Sequence, residues 1–409
     1  MDKNVLRHNQ ETEAETLAPT PVTISTEHVA GSTQSMTTRS GVRNSGGWFP
    51  GLDGVRGIAV GLVFTVHYIG KYPIGWMGVI FFFVLSGYLI TGGLYDTRDE
   101  PHRFRRFYIR RTLRIFPLFY FVWISILVAD PLIHERWQPM QWLWPVYLGN
   151  FARFIAYSPS TDHIYTSVLW LPIEIGHFWS LAVEEQFYLV WPFVVFSIAD
   201  RKKLIRICVG VMVAVLLLRI ILVAAIPSGL LQMEFLYRMP FTQADSFLCG
   251  GLLALWWRGP ERERMLRAAP YLFFAFLGIF VFACSIEGAG VGLNKLVPAT
   301  PWISGYGFTL IYLIAAALIA SSLSSTNLLF KITNLRPLRF LGKYSYGFYV
   351  YHVILRPILI KPWGELHSHW AFRLSVCIEF AIVLAVSVVS YHLLEAPFLR
   401  LKGRLAGHA

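Results

Sequence analysis

Arg56 and His67 stand eleven residues apart in the first long apolar segment of the chain, GLDGVRGIAVGLVFTVHYIG. Eleven residues of an α-helix make close to three turns, so both side chains share one face, about 16 Å apart along the axis. Ionisable groups inside a membrane are costly and usually face a cavity or a pathway. The unperturbed pKa of a histidine side chain lies near neutrality, so the residue type at position 67 suits a general base. The alternative is a structural histidine that hydrogen-bonds a neighbouring helix.

Two adjacent carboxylates, Glu184 and Glu185, lie in a second apolar segment, HFWSLAVEEQFYLVWPFVV. This segment is predicted to run inward from the outer face, which places both carboxylates about 10 Å below its outer end, at a depth comparable to His67. A carboxylate that orients an imidazole is a recurring catalytic unit. Neighbouring helical residues point about 100° apart. We therefore expect at most one glutamate to face His67 and the other to pair with an arginine or a structural network.

A cluster of arginines follows the apolar segment 75–95, in RFRRFYIRRTLRIFP. Guanidinium groups bind phosphate oxygens through paired hydrogen bonds, so the cluster could form a phosphate site. A signal for membrane orientation that also binds lipid headgroups would explain the same residues. The sequence leaves both interpretations open. The arginines are Arg103, Arg105, Arg106, Arg110, Arg111 and Arg114.

The composition indicates an all-α, polytopic membrane protein. Hydrophobic residues make up 55% of the 409 residues and charged residues 15%, and the mean hydropathy is +0.51. Because the basic residues cluster between apolar spans, the net charge of +12 favours contact with anionic membrane lipids over nucleic acid. The four cysteines lie in or beside apolar spans without metal-ligand spacing, so we expect no disulfide and no metal site.

About ten transmembrane helices are predicted. If residues 139–156 do not cross, 22 loop Lys and Arg residues lie on one side and 6 on the other, as the positive-inside rule requires. Both termini are then cytoplasmic, and 131–177 forms an outer, interfacial or re-entrant segment. The predicted spans are 52–69, 75–95, 113–130, 178–199, 204–226, 241–257, 268–286, 303–321, 341–360 and 371–394.

Three regions follow from this pattern. Residues 1–49 are polar, nearly free of aromatic residues and without the apolar core of a signal peptide, so we expect a disordered cytoplasmic tail. Residues 50–402 form the membrane domain, and 403–409 form a short cytoplasmic tail.

Six segments in order resemble the acyltransferase type 3 family: LDGVRGIAVGLVFTVHY, FFFVLSGYLIT, FYIRRTLRIFPLF, FWSLAVEEQFYLVWP, FLGKYSYGFYVYH and LLEAPFLRLK. The resemblance implies a ten-helix domain in a bacterial-type inner membrane. It also implies transfer of an acyl group, commonly acetyl, from acyl-coenzyme A to a hydroxyl. The implied acceptor is a carbohydrate, a lipid-linked sugar or a natural product.

The same resemblance assigns roles to individual residues. Arg56 and His67 match the family's Arg-to-His pair, Glu184 and Glu185 fall in its Glu-Glu segment, and Arg111 and Arg114 match its Arg-x-x-Arg. His67 and the glutamates are the expected catalytic residues, and the three arginines are expected to bind the acyl-coenzyme A. Ile80 stands where family members often carry an acidic residue.

Two questions stay open at the level of sequence. Transfer could be direct, with His67 as general base, or could pass through a transient acyl-histidine. A secondary transporter or a flippase for a lipid-linked sugar would also need buried charges. We see no repeat between 52–199 and 204–394, which such transporters often show. We also expect no appended outer esterase-like domain, so that the membrane domain itself handles the acceptor.

Overall fold

The computed structural model describes residues 49–69, 73–129, 142–155, 166–168, 171–173, 175–226, 230–288, 300–360 and 369–407. The predicted tail 1–49 lies outside these ranges except for Phe49. The described residues are almost entirely helical, as predicted. A two-stranded antiparallel ribbon, which the sequence did not predict, pairs β1 (Thr166–Val168) with β2 (Leu171–Ile173), with Ser167 opposite Pro172.

Fifteen helices are present in the described ranges. The first eight are α1 (Pro50–Tyr68), α2 (Met77–Asp96), α3 (Arg103–Ala129), α4 (Gly149–Ile155), α5 (Trp179–Ser197), α6 (Arg201–Ala225), α7 (Leu230–Arg238) and α8 (Pro240–Trp257). The others are α9 (Arg262–Gly288), α10 (Phe308–Ser322), α11 (Leu328–Thr333), α12 (Arg336–Lys343), α13 (Ser345–Ile360), α14 (His369–Ser390) and α15 (Ala396–Gly407). Short π-helical segments, Ile303–Gly307 and Tyr391–Glu395, lead into α10 and α15.

Six of the helical stretches in the described residues are long and apolar enough to cross a membrane. Their ranges are Ile74–Asp96, Arg103–Val128, Arg201–Ala225, Arg262–Ile286, Ile303–Ser322 and Trp370–Leu401. The chain therefore has the helices of an integral membrane protein. The other four predicted spans correspond to α1, α5, α8 and α13, which are shorter or carry charged residues. The total of ten crossings stays a prediction.

The doubtful stretch 139–156 does not contain a spanning helix in its described part. Its helix α4 has 7 residues, about 10 Å at 1.5 Å per residue, whereas a crossing needs about 30 Å. The stretch is held inside the bundle, because Gln186 Nε2 donates to Tyr147 O and Asn150 Oδ1, both at 2.8 Å. Gln186 lies seven residues inward from Trp179, the first residue of α5. The re-entrant form of the predicted outer segment fits this geometry.

The predicted inner loops meet at one end of the bundle, which we call the basic end. Arg258 pairs with Asp96 at 2.5 Å, joining the ends of α8 and α2. Arg201 at the start of α6 pairs with Glu261 at 2.8 Å. The start of α1 joins them, because the Phe49 and Trp257 rings are 5.4 Å apart. The loops that were predicted to share one side of the membrane because of their positive charge are thus neighbours in space.

Helix α1 runs through the interior of the bundle, where it packs against α2, α12 and α13. Val55 and Val60 are fully buried. The approach of α12 is close: a Cβ added at Gly57 would lie 2.2 Å from Leu338 O, and one added at Gly342 would lie 1.7 Å from Asp53 O. Backbone contact of this kind requires glycine. Helix α1 is therefore a fixed support for the polar residues it carries.

A buried ion pair ties α6 to α8. Arg219 Nη2 lies 2.6 Å from Asp245 Oδ2, and both side chains are fully buried. Three other guanidinium hydrogens go to Gly305 O, Thr242 O and Thr309 Oγ1, at 3.2, 2.9 and 2.9 Å. The two opposite charges are paired with each other inside the protein, which marks this pair as a structural element.

Candidate active site

A cluster of three histidines lies at the end of the bundle opposite the basic end. His67 Nδ1 on α1 is 3.3 Å from His352 Nε2 on α13, and their rings cross at 76°. His177, in the turn before α5, has its ring centre 5.2 Å from that of His352. His352 is fully buried and His177 is 7% exposed, whereas His67 keeps part of its surface accessible. His67 is thus the member of the cluster that a substrate can reach.

Hydrogen bonds between α1, α13 and the turn before α5 fix the backbone around the cluster. Tyr68 on α1 donates to His352 O at 2.6 Å. His177 Nε2 lies 3.1 Å from Val350 O, and Tyr349 donates to His177 O at 2.8 Å. These hydrogen bonds tie α1, α13 and the turn that carries His177 together around the three imidazole rings.

Glu184 belongs to a different cluster, nearer the basic end. It accepts hydrogen bonds from Ser86 on α2 and from Tyr188 one turn further along α5. Arg111 on α3 lies 3.4 Å from the same oxygen and stacks over the Tyr188 ring at 3.7 Å. The carboxylate is thus fully engaged in joining α2, α3 and α5. The sequence paired a glutamate with His67 because the depths looked comparable; here Glu184 lies seven residues inward from His177, about 10 Å along α5.

The three predicted donor-binding arginines come together in space. Arg56 pairs with Asp53 in the first turn of α1. Arg114 lies within electrostatic range of both Arg56 and Arg111. The sequence placed these residues on two helices 55 or more positions apart in the chain, and only their packing unites them. Arg56 and Arg111 are already paired with Asp53 and Glu184, so Arg114 leaves this site a positive charge that suits a phosphate group.

Arg114 has the surroundings of a side chain that lines a cavity. It keeps an exposed surface, although protein atoms surround it within the bundle. Among the residues that the structure describes, it forms neither a hydrogen bond nor an ion pair within 4 Å. Its guanidinium is therefore available to an incoming anion, unlike Arg111, which Glu184 already engages.

Glu185 follows Glu184 on α5 and lies within electrostatic range of Arg111. Its Oε1 is buried and accepts no hydrogen bond from the described residues. Tyr147, whose hydroxyl is likewise without a partner in the described part of the chain, is within electrostatic range of Glu185. Tyr147 also adopts a left-handed backbone conformation, φ 55°, which is uncommon for a residue other than glycine. Two buried polar atoms without partners mark a place where a bound molecule could supply them.

The structure brings together some of the residues that the sequence singled out. Arg56, Arg111 and Arg114 are brought together, with Glu184 among them. A role for Glu184 or Glu185 beside His67 stays a prediction. Sequence reasoning gave no role to His177 or His352. Their signal was a histidine in an apolar segment, in GHFWS and GFYVYH, the same signal that singled out His67.

No group of three potential metal ligands that could hold an ion occurs among the described residues.

Comparison with known proteins identifies the class. Residues 49–392 match the model of a family described as the acyltransferase domain. The match covers most of the 409 residues, and the chain belongs to this family. This confirms the resemblance drawn from the six sequence segments.

Two relatives are informative. A Bacillus subtilis protein, YrhL, provisionally named as a peptidoglycan O-acetyltransferase, is 30% identical over 372 residues, covering 86% of this chain and 55% of that protein. The peptidoglycan O-acetyltransferase OatA of Listeria monocytogenes is 27% identical over 378 residues, covering 87% of this chain and 56% of that protein. The chain thus spans about half the length of these relatives. No solved structure matches it at a comparable level of significance.

Proposed function

We propose that this protein is a membrane-embedded O-acyltransferase that moves an acetyl group from acetyl-coenzyme A to a hydroxyl of a carbohydrate. The observation that carries the proposal is the placement of two kinds of site on one buried helix, α1. At its basic end Arg56 lies within electrostatic range of Arg114. Toward its other end His67 contacts His352 and keeps part of its surface accessible. A long donor with phosphates at one end and a thioester at the other matches this separation of about 16 Å.

The donor phosphates bind the arginine cluster. Arg114 is the direct ligand in this proposal, and Arg56 and Arg111 add to the positive potential. The pantetheine arm extends from there toward His67 and passes Glu185 and Tyr147, whose buried oxygens lack partners. The basic end is the cytoplasmic side of a bacterial-type inner membrane, because the basic loops gather there.

The transfer step uses His67 as a general base. Its Nε2 takes the proton of the acceptor hydroxyl while the hydroxyl oxygen attacks the thioester carbonyl. The tetrahedral intermediate collapses, the carbon–sulfur bond breaks, and the proton passes from the imidazolium to the leaving thiolate. The products are an O-acetyl ester and free coenzyme A.

The acceptor we propose is a glycan of the cell wall. One of the relatives above is named a peptidoglycan O-acetyltransferase and the other is provisionally named so, which motivates muropeptide fragments as the first acceptors to test. Lipid-linked sugars follow, since they present the same hydroxyl chemistry within the membrane.

The test is labelled transfer in membranes that contain the protein. We expect label from acetyl-coenzyme A to appear on a glycan. His67→Gln should lower the rate by about 10²–10⁴-fold, because glutamine cannot take a proton at neutral pH. Gly61→Ala is the matched control on the same helix, since a Cβ there meets nothing within 4 Å. Full transfer by His67→Gln would end the proposed mechanism, and absence of label on any glycan would end the proposed acceptor class.

A further inference from the structure

Neighbouring atoms that only accept hydrogen bonds determine which ring nitrogens of His67 and His352 carry a hydrogen. His352 Nδ1 is 2.6 Å from Tyr349 O. A carbonyl oxygen only accepts, so Nδ1 of His352 carries a hydrogen. His352 is fully buried and contacts no carboxylate among the described residues, which disfavours its charged form. Its Nε2 therefore holds a lone pair, aimed at His67.

The same reasoning fixes the tautomer of His67. Its Nδ1 lies 2.9 Å from Val63 O and 3.3 Å from His352 Nε2. Both neighbours are acceptors, so Nδ1 of His67 carries the hydrogen and shares it between them. The lone pair of neutral His67 is then on Nε2, the nitrogen that the proposed transfer requires as its base.

We propose that His352 is a positioning residue for acyl transfer, a neutral imidazole in the place where many hydrolases use a carboxylate. It accepts the Nδ1 hydrogen of His67, holds the ring with Nε2 toward the substrate, and stabilises the imidazolium that forms when Nε2 takes the hydroxyl proton. The Nδ1 hydrogen stays on His67 throughout. This inference rests on the proposed function, because it assigns a second residue to the same base.

The surroundings of His352 support this role. Its carbonyl accepts from Tyr68 on α1, and the carbonyl of Val350, two residues earlier, lies 3.1 Å from His177 Nε2. The helix that carries His352 is thus anchored on both sides of the imidazole. Because Val350 O only accepts, His177 carries its own hydrogen at Nε2 and does not compete for the proton of His67.

Three variants at neighbouring positions test the inference in purified, reconstituted protein. His352→Phe keeps a ring of similar size without an acceptor. His352→Gln places an amide oxygen near the position of Nε2. Tyr351→Phe is the matched control on α13, since it removes only the hydrogen bond to Ser390 Oγ at 3.0 Å.

We expect kcat to fall about tenfold or more in His352→Phe, because the lost hydrogen bond is charge-assisted once His67 is protonated. The KM values for donor and acceptor should be unchanged, His352→Gln should recover most of the lost kcat, and Tyr351→Phe should match wild type. A folded His352→Phe with wild-type kcat would overturn the inference. So would a loss in KM alone, or equal losses in the Phe and Gln variants.

Nitrogen-15 NMR of the unsubstituted protein provides a second measurement that survives if His352→Phe does not fold. The His67 signals, identified by their absence in His67→Gln, should show hydrogen on Nδ1. Hydrogen on Nε2 would overturn the inference. A different result would contradict the proposed function itself, namely full activity of His67→Gln. If His67→Gln is inactive while a folded His352→Phe is fully active, only the role of His352 is contradicted.

Discussion

Arg111 and Arg114 stand three positions apart on one helix, and their surroundings give them different tasks. Arg111 is committed to Glu184 and to the face of Tyr188. Arg114 forms no hydrogen bond or ion pair with the described residues and keeps an exposed surface. A bound phosphate gains most from a cation that is positioned but not already neutralised. We therefore predict that the motif combines one structural arginine, Arg111, with one that binds the donor, Arg114.

Replacing each of the two arginines by glutamine in turn should distinguish a donor-binding role from a structural one. Arg114→Gln should raise the donor KM by about tenfold or more, since a charge-assisted contact is worth on the order of 1.5–3 kcal/mol. Arg111→Gln should instead lower the unfolding temperature in detergent, because Glu184 loses its cation. Steady-state kinetics and thermal unfolding measure the two effects.

Arg110→Gln is the control for this experiment, because Arg110 is adjacent and exposed. It should change neither quantity. If Arg110→Gln and Arg114→Gln raise the donor KM equally, the cluster acts only through its total charge and orients the protein in the membrane.

Helices α2 and α8 are joined by two glycines that face each other's backbone. A Cβ at Gly87 would lie 1.8 Å from Phe247 O, and a Cβ at Gly250 would lie 1.9 Å from Val84 O. Contacts this short are possible only without side chains, and they allow the dispersion contacts that hold helices together in lipid. Ser86, one of the donors to Glu184, sits next to Gly87. The α2–α8 contact therefore sets the position of the cluster around Glu184.

A methyl group at this contact should force the helices apart. We expect Gly87→Ala to destabilise the protein by about 1–3 kcal/mol, the usual cost of overpacking, and to lower activity as Ser86 moves. Gly93→Ala, on the same helix, should be neutral or slightly stabilising, because nothing lies within 4 Å of its added Cβ. Unfolding temperatures in detergent give the comparison. Equal unfolding temperatures for the two variants would show that α2 and α8 do not approach as closely as described.

The described helix bundle has basic residues at one end and the histidine cluster toward the other end. Basic segments from the start of α1 and from the ends of α2, α6 and α8 meet at one end, and the histidines gather toward the other. We predict that this asymmetry orients the protein in a membrane with its basic end in the cytoplasm. The donor would then bind from the cytoplasm, and the acetyl group would be transferred nearer the outer face.

Cysteine labelling in intact cells tests the orientation. In a background without the four native cysteines, Ser325→Cys, in the turn between α10 and α11, should react with a membrane-impermeant maleimide only after permeabilisation. Ser158→Cys, in the predicted outer segment and outside the described residues, should react in intact cells. Labelling of both positions under the same condition would overturn the predicted topology.

Hydropathy and charge in the sequence were enough to determine the helical membrane class and the common end of the basic loops. Apolar runs must form helices in lipid, and positive loops must stay on one side. The Arg56–His67 spacing also follows from sequence, because it depends only on the pitch of one helix.

Contacts between residues far apart in the chain were decided by tertiary structure alone. Ser86, Arg111 and Glu184 meet, and His67 meets His352, 285 positions away, because glycine contacts and buried ion pairs set how each helix slides and rotates against its neighbours. Depth along separate helices suggested a glutamate for His67. Packing supplied a histidine, because two side chains at similar predicted depths contact each other only if both helices turn the right face toward the same point.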